Sequence, residues 1–428
     1  MIIKGPILLY GAGREARSTL AFLNDVAPGE NVHVVVDSGE ADLPGIEQVP
    51  IESLEAAIAS KDYATIVRSA GVSIYKPVLI AARQAGIEIT TNINLWARHK
   101  RGNTKTIAIT GTKGKSTTAK LIHTILKQAG LDAGLGGNIG VPPLDLAPCA
   151  YAVLELSSFQ TADMDFNLDF IGITSLFPEH LDWHLNEKNY FADKLNILRR
   201  KKPYQCALNP QVVEKDCLPQ PPNGLVHALA DLEPDFQDQL MEQVSASRLK
   251  GVHNAQNAIL AARLCLGVGA TQRDILQGIA AFEPLPHRLQ EIQLGPKTFV
   301  NDSIATNPEA TRAAIAAYPR QKVSLVLGGY DRGQKYDGLA ATLKNSTLSQ
   351  VWFLPDTGHR ILREIGESKT PFACHKAISF EDMFTRLAAE PEQFETLILS
   401  PGAPSFNQFK NFEERGTIFL DLARKHFT

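Results

Sequence analysis

The sequence predicts an α/β protein of three consecutive domains, and three observations carry that expectation. The chain has 428 residues, about three domains at roughly 150 residues each. Short apolar, β-branched runs alternate with helix-length stretches, the pattern of doubly wound parallel sheets. Two glycine-rich turns, at 11–16 and 111–117, stand where a strand should hand over to a helix.

The elements follow in order. Ile7–Tyr10 reads as a strand, followed by the turn Gly11-Ala12-Gly13-Arg14-Glu15-Ala16 and a helix through Leu23. Val32–Val36 is a second strand ending at Asp37, Tyr63–Arg68 a third, and Lys76–Ala85 a helix introduced by Pro77. Arg98, His99, Lys100 and Arg101 cluster with Gly102 and Asn103 and read as a solvated linker closing the first unit. Thr106–Thr110 opens the second unit, and its following helix carries Leu121, Ile122, Ile125 and Leu126 on one face. Tyr151–Leu156 and Phe170–Leu176 are further strands, 219–224 a surface loop, and His253–Leu266 a helix. The prolines of Glu283-Pro284-Leu285-Pro286 punctuate the chain before a third unit with strands at Thr298–Val300, Lys322–Leu327 and Thr396–Leu399. The expected domains are 1–100, 101–284 and 285–428.

Composition excludes several classes. Forty-three Lys and Arg against 46 Asp and Glu leave a net charge of −3, so nothing draws the chain toward nucleic acid or an anionic membrane. No apolar run approaches the ~20 residues that span a bilayer, and the short apolar start reads as a buried strand rather than a signal peptide. Cys149, Cys206, Cys217, Cys265 and Cys374 are odd in number and scattered, which argues against a disulfide framework and for a cytoplasmic setting.

The chemistry concentrates in a few segments. Gly111-Thr112-Lys113-Gly114-Lys115-Ser116-Thr117 lies between a strand and a helix, as a phosphate loop requires. Small residues let backbone N–H groups approach phosphate, Lys115 would reach the outer phosphates, and Ser116 or Thr117 would bind Mg²⁺. The eight-residue pattern is incomplete, since Ile109 stands where its first Gly would be. Glu155 closes a strand beside this loop, well placed for Mg²⁺. In Glu179-His180-Leu181-Asp182-Trp183-His184 the two histidines are four apart, which on a helix puts both on one face. A zinc pair is conceivable there, but the acidic residues and nearby phosphate loop favour Mg²⁺-nucleotide. Lys194 by itself reads as a surface lysine. Gly11-x-Gly13-x-x-Ala16 with Asp37 fits a dinucleotide fingerprint and supports a rival, an NAD-dependent oxidoreductase.

Taken together, Gly111–Thr117, Leu154–Gln160, Glu179–Asp182 and Lys194 make the chain resemble the Mur ligases, and nearest of these the glutamate-adding enzymes. The segments 136–140, 253–257, His287-Arg288, 301–303 and 400–412 extend the likeness over nearly the whole length. The resemblance implies a Rossmann-like UDP-binding first domain, a P-loop ATPase in the middle, and a Rossmann-like third domain closing over nucleotide and glutamate. It implies ATP and two Mg²⁺ ions as cofactors. The substrates would be UDP-N-acetylmuramoyl-L-alanine and glutamate, on a cytoplasmic monomer with no nucleic acid or membrane partner.

Residue by residue, the likeness makes Lys115, His180 and Lys194 catalytic, with Lys194 carbamylated into an anionic Mg²⁺ organiser. Gly111, Thr112, Lys113, Gly114, Lys115, Ser116, Thr117, Asn254, Asn257, Arg288 and Asp302 would hold ATP. Gly11, Gly13, Arg14, Asp37, Ser38, Gly71 and Asn138 would hold the UDP substrate, and Arg332, Ser405 and Phe412 the glutamate. Ser116, Thr117, Glu155, His180 and carbamylated Lys194 would face the metal ions, and two Mg²⁺ with Lys115 and His180 would neutralise the reacting oxyanions. Two positions depart from the pattern: Ile304 stands where D-glutamate enzymes carry lysine, and Arg332 where a carboxylate-binding lysine is usual. D-glutamate is the family default, and an L-glutamate-adding variant stays open. A folate-polyglutamate synthetase would share the loop and the glutamate but not the first domain.

Overall fold

The computed structural model describes residues 3–199, 204–213, 218, 225–227, 232–249, 252–319, 322–366 and 370–428. The loop expected at 219–224 and Cys217 lie outside them. Three sheets follow one another along the chain. The first contains β1 (Ile7–Tyr10), β2 (Val32–Val35), β3 (Glu47–Gln48), β4 (Thr65–Arg68) and β5 (Glu88–Thr90), all parallel, in the order β3-β2-β1-β4-β5. The second contains β6 (Lys105–Thr110), β7 (Ala133–Gly137), β8 (Tyr151–Glu155), β9 (Phe170–Ile173), β10 (Gln205–Leu208) and β11 (Leu225–His227), again all parallel, in the order β11-β10-β9-β6-β8-β7. The third contains β12 (Gln290–Leu294), β13 (Lys297–Asn301), β14 (Val323–Leu327), β15 (Gln350–Phe353), β16 (Ala373–Lys376) and β17 (Thr396–Leu399), in the order β12-β13-β17-β14-β15-β16. Its edge pair β12–β13 is antiparallel, so this sheet is mixed. The β12 run, Gln290-Glu291-Ile292-Gln293-Leu294, alternates polar and apolar as an edge strand should.

The chain divides into two compact units, Met1–Phe282 and Glu283–Thr428. Within the first, sheets one and two share a single apolar cluster running from Ile7 and Leu9 through Trp96 to Leu154 and Ile171. The charged cluster after Trp96 stays at the surface, with Arg98, Lys100, Gly102 and Asn103 exposed, but it begins inside a helix rather than in a linker. Residues Asn92–His99 form a helix, with Trp96 buried against Phe166. Arg98 pairs with Glu88 and Asp165, Arg101 reaches Asp169 Oδ2 at 2.6 Å, and Lys100 donates to Leu144 O at 2.8 Å. Each pair is weak alone, but together they stitch the first sheet's region to the second's.

The helix Lys115–Gln128 buries Leu121, Ile122, Ile125 and Leu126 completely, as its pattern predicts. The histidine pair is different. The helix expected to carry it is a single turn, Leu181–His184, and His180 precedes that turn in a left-handed conformation with φ +56°. His184 is fully buried while the His180 side chain is half exposed, so the two do not share a face. This removes the geometric basis for a zinc pair.

Candidate functional site

The carboxyl end of β6 runs directly into the loop Gly111–Gly114 and then into the first turn of the Lys115–Gln128 helix. Two glycines make this loop possible. Gly111 has φ +143° and a Cβ there would stand 2.1 Å from Thr174 Oγ1; Gly114 has φ +90° and a Cβ would stand 2.8 Å from Asn257 Oδ1. The loop is anchored from below: Thr112 Oγ1 donates to Phe177 O at 2.8 Å and lies 2.7 Å from the Tyr190 hydroxyl. The Lys113 amide donates to Ser175 Oγ at 2.8 Å. Lys115, Ser116 and Thr117 fall in the helix's first turn, where backbone N–H groups and the helix dipole favour an anion. Asn257, buried on the Val252–Gly267 helix, packs against Gly114 and donates to Asn254 Oδ1 at 3.3 Å.

Around this loop converge the residues expected to organise cations. Glu155 ends β8 in register with Ile109 of β6 and is 1% exposed. Its Oε1 accepts from Asn138 Nδ2 at 3.0 Å, while its Oε2 is buried with no hydrogen-bond partner. A buried carboxylate oxygen left without a partner is costly, and a cation would satisfy it. Lys194, far from being a surface lysine, is 2% exposed and donates to Gly111 O at 2.8 Å. Burial, reinforced by the Lys115 cation, holds its pKa well below the ordinary lysine value, so a neutral amine is accessible. A neutral amine is the form that takes up CO₂. Among the described residues no three His, Cys, Asp or Glu side chains form a ready-made metal cluster. The unpartnered Glu155 Oε2 and the hydroxyls of the loop's helix start are oxygen donors of the kind a hard divalent cation takes.

His180 stands over Phe159, with ring centroids 5.0 Å apart. Burial lowers its pKa from the ordinary imidazole value, with Glu179 opposing. Glu179 is ion-paired with Lys113, which holds its carboxyl below the usual range against the upward push of burial.

A second feature adjoins the first. A cleft of about 190 Å³ is lined by Gly13, Arg14, Gly71 and Asn138, together with Glu15, Ser69, Ala70 and Gln160. It opens where β1 and β4 diverge, the point at which the connections of the first sheet reverse direction, a standard ligand position in such folds. Arg14 reaches Asn138 O and Gly140 O at 3.3 and 3.4 Å, and Asn138 also touches Glu155, so the cleft leads to the cation residues. Gly11, Asp37 and Ser38 do not line it. Gly11 lies against Ser69, and Asp37 accepts from the Tyr10 hydroxyl at 2.7 Å and pairs with Lys76 at 3.0 Å. Those contacts place Asp37 beyond the cleft, at the end of β2.

In the second unit, Asp302 follows β13 and is 5% exposed; burial pushes its pKa up to about 7, against the pull of Ser400 and Arg288. Arg332 follows β14 and Ser405 follows β17, adjacent strands from which the chain departs to opposite sides of the sheet. The Arg332 guanidinium stacks on Phe406 at 5.4 Å, and Ser405 is buried. Phe412 opens the last helix, and its carbonyl accepts from Ser303 Oγ at 2.8 Å.

Several residues escaped sequence reasoning. Arg415 is 1% exposed and bonds Ser303 Oγ, Ser303 O and Ala403 O at 2.7–3.0 Å, joining the Asp302 turn to the Ser405 turn. Burial lowers its pKa to about 9. Glu15 and Gln160, bonded to each other at 2.7 Å, form part of the cleft wall. Tyr190 underpins the phosphate loop. Glu15 and Gln160 lay within motif segments without being singled out, and Tyr190 between two of them; Arg415 looks like an ordinary helix-surface charge in sequence.

The Mur ligase middle domain family matches residues 109–215. A UDP-N-acetylmuramoyl-L-alanine–L-glutamate ligase of Xanthomonas euvesicatoria pv. vesicatoria is 32% identical, covering 97% of this chain and 94% of its own. A protein of the same name from a Micromonospora species is 34% identical, covering 98% and 96%. Among solved structures, the UDP-N-acetylmuramate–alanine ligase of Thermotoga maritima aligns with a TM-score of 0.60 at 15% identity, covering 98% of this chain and 99% of that one. A MurF structure from Acinetobacter baumannii aligns with a TM-score of 0.58 at 18% identity, covering 98% and 91%.

Proposed function

The chain belongs to the Mur ligase family of ATP-dependent, ADP-forming ligases of peptidoglycan synthesis, and from that premise we propose that it joins L-glutamate to UDP-N-acetylmuramoyl-L-alanine. The observation that carries the choice of substrate is the set of relatives so named, matched over nearly the full length of both chains. Of the two enantiomers open from sequence, L-glutamate is favoured by those names and is compatible with Ile304 replacing a lysine. The Gly11–Ala16 turn then needs no NAD: it serves the UDP diphosphate.

In this reading residues 1–100 hold UDP, 101–284 hold ATP, and 285–428 supply glutamate and further nucleotide contacts. Gly13, Arg14, Gly71 and Asn138 bind the UDP substrate and direct its carboxylate toward Glu155. Gly11 belongs to the diphosphate turn of the same subsite, and Asp37 and Ser38 to its uridine end. The backbone of Gly111–Gly114 with Lys115 orients the ATP phosphates so that the γ-phosphoryl meets that carboxylate and forms an acyl phosphate. The glutamate amine attacks, and the tetrahedral adduct collapses to an amide and phosphate. Asn254, Asn257, Arg288 and Asp302 contact the nucleotide, and Arg332, Ser405 and Phe412 the glutamate; a guanidinium suits a carboxylate because it binds bidentately. Ser116 or Thr117, Glu155, His180 and carbamylated Lys194 would hold two Mg²⁺ ions, which would supply charge neutralisation among the phosphates. The same reading makes the protein a cytoplasmic monomer working without nucleic acid or membrane; its near-balanced charge supplies no general pull toward either polyanion.

Supplying L- and D-glutamate in separate reactions tests the substrate assignment. Product should form with L-glutamate, with the D form at least about 100-fold poorer in kcat/KM, because an inverted centre misplaces either the amine or a carboxylate. Preferential use of D-glutamate, established by chiral analysis of the hydrolysed product, would overturn it.

A further inference from the structure

Between the phosphate loop and the Gly71 turn runs a buried chain of hydrogen bonds that the proposed chemistry does not use. His184 is fully buried, and both its ring nitrogens are engaged: Nδ1 lies 2.7 Å from Asp193 Oδ2 and Nε2 lies 2.9 Å from Ser158 Oγ. The Tyr75 hydroxyl donates to the same carboxylate at 3.0–3.1 Å. The imidazole thus bridges the Asp193 carboxylate and the Ser158 hydroxyl, one ring nitrogen to each. The neighbouring Trp183 is tied to the same turn, its Nε1 donating to Gly71 O at 3.0 Å and its carbonyl accepting from Ser73 Oγ at 2.6 Å. Its ring stacks on Phe159 with centroids 4.7 Å apart.

Filling this volume with apolar side chains would be simpler, since buried polar groups contribute little net stability and are expensive when one partner is missing. What the partners share is position. Ser158 opens the short helix that follows the Glu155 strand end, and Asp193 directly precedes Lys194. Tyr75 lies in the loop that begins at Gly71 on the wall of the substrate cleft.

We propose that His184 is a positioning residue that fixes the separation of the elements bearing Glu155 and Lys194, and that Asp193 and Tyr75 tie this pair to the cleft turn at Gly71. The imidazole is a spacer of set length: one nitrogen holds the helix carrying Lys194, the other holds the segment after Glu155. Neither Asn nor Gln can span both partners, since Asn matches the reach of Nδ1 alone and Gln that of Nε2 alone. The proposal rests on reading Glu155 and Lys194 as the cation-organising pair.

The test compares His184→Asn, Ser158→Ala and Tyr75→Phe with the native chain. It uses steady-state kinetics and, separately, Mn²⁺ binding followed by electron paramagnetic resonance with a non-hydrolysable ATP analogue present. Residues that orient metal ligands typically alter affinity or activity 10- to 100-fold. On that scale His184→Asn and Ser158→Ala should each lower kcat about 30-fold and weaken Mn²⁺ binding about tenfold, with KM for ATP within about threefold of native. Tyr75→Phe should instead raise KM for the UDP substrate by about tenfold and leave Mn²⁺ binding unchanged. Native Mn²⁺ affinity in folded Ser158→Ala, or a Tyr75→Phe protein with native KM, would overturn the proposal. Should His184→Asn fail to fold, Ser158→Ala decides, because it removes one hydroxyl and almost no volume. A native chain that forms no product faults the ligase reading; an active native chain with unaltered variants faults this proposal alone.

Discussion

Lys115→Ala should reduce turnover by about 10³-fold or more while leaving the fold intact, read as ADP release in the presence of both other substrates. The side chain projects from the first helical turn, half-buried, and its ammonium donates to Thr112 O at 2.9 Å, at the mouth of the phosphate loop. Charge on the transferring phosphoryl is what such an ammonium stabilises. Alanine removes that charge but keeps helix propensity, and the loop's two strained positions are glycines rather than Lys115, so the backbone has no reason to move. Because the loop backbone still binds phosphate, nucleotide affinity should fall less than kcat does. Normal activity in this variant would remove the phosphate loop from the chemistry.

Lys194→Ala is the second large effect. The native side chain is buried against Gly111 O, with Tyr190 beneath its ammonium at 5.2 Å. Alanine empties that volume and deletes the group expected to become a carbamate, so kcat should fall by about 10²-fold or more. Formate or acetate can enter the vacated space and restore an anion there, so partial recovery of activity with added short carboxylates is expected. Recovery by carboxylates but not by chloride would show that an anionic oxygen ligand is needed. Undiminished activity of the unrescued variant would take Lys194 out of the site.

The phosphate loop was legible because its chemistry is local. Strand, glycines and helix start are contiguous, and each imposes a backbone requirement readable from residue type. Glu155 was legible for the same reason, as a carboxylate at a strand end beside that loop. Lys194 was not legible from physics alone, since nothing in Ala192-Asp193-Lys194-Leu195 says the lysine is buried; family likeness singled it out. The histidine pair misled because i,i+4 spacing carries meaning only on a helix long enough to repeat, and Leu181–His184 is one turn. The Arg98–Arg101 cluster is exposed at Arg98 and Lys100, as a run of charges is by default, but the acidic partners of its two guanidiniums lie elsewhere in the chain and could not be read from the run itself. Arg415 shows the general limit. Its role depends on Ser303 and Ala403, both delivered by other turns of the sheet, and no periodicity within its own helix reports them.

The same distinction separates the two parts of the proposed site. The cleft at Gly13, Gly71 and Asn138 is assembled from three turns in two sheets; the first announces itself by residue pattern, and the other two were singled out only through family likeness. Asn138 couples the cleft to Glu155 through both its backbone N–H and its side chain, at 2.8 and 3.0 Å. That short path is what makes phosphoryl transfer to a carboxylate held in the cleft physically reasonable.

The most direct measurement is phosphate release by the unmodified protein with ATP and Mg²⁺, omitting UDP-N-acetylmuramoyl-L-alanine and L-glutamate in turn. Sustained release is expected only when both are present, with one phosphate per molecule of a product heavier than the UDP substrate by one glutamyl residue. Nucleotide hydrolysis that proceeds equally without either substrate, or no product when both are supplied, would contradict the ligase assignment.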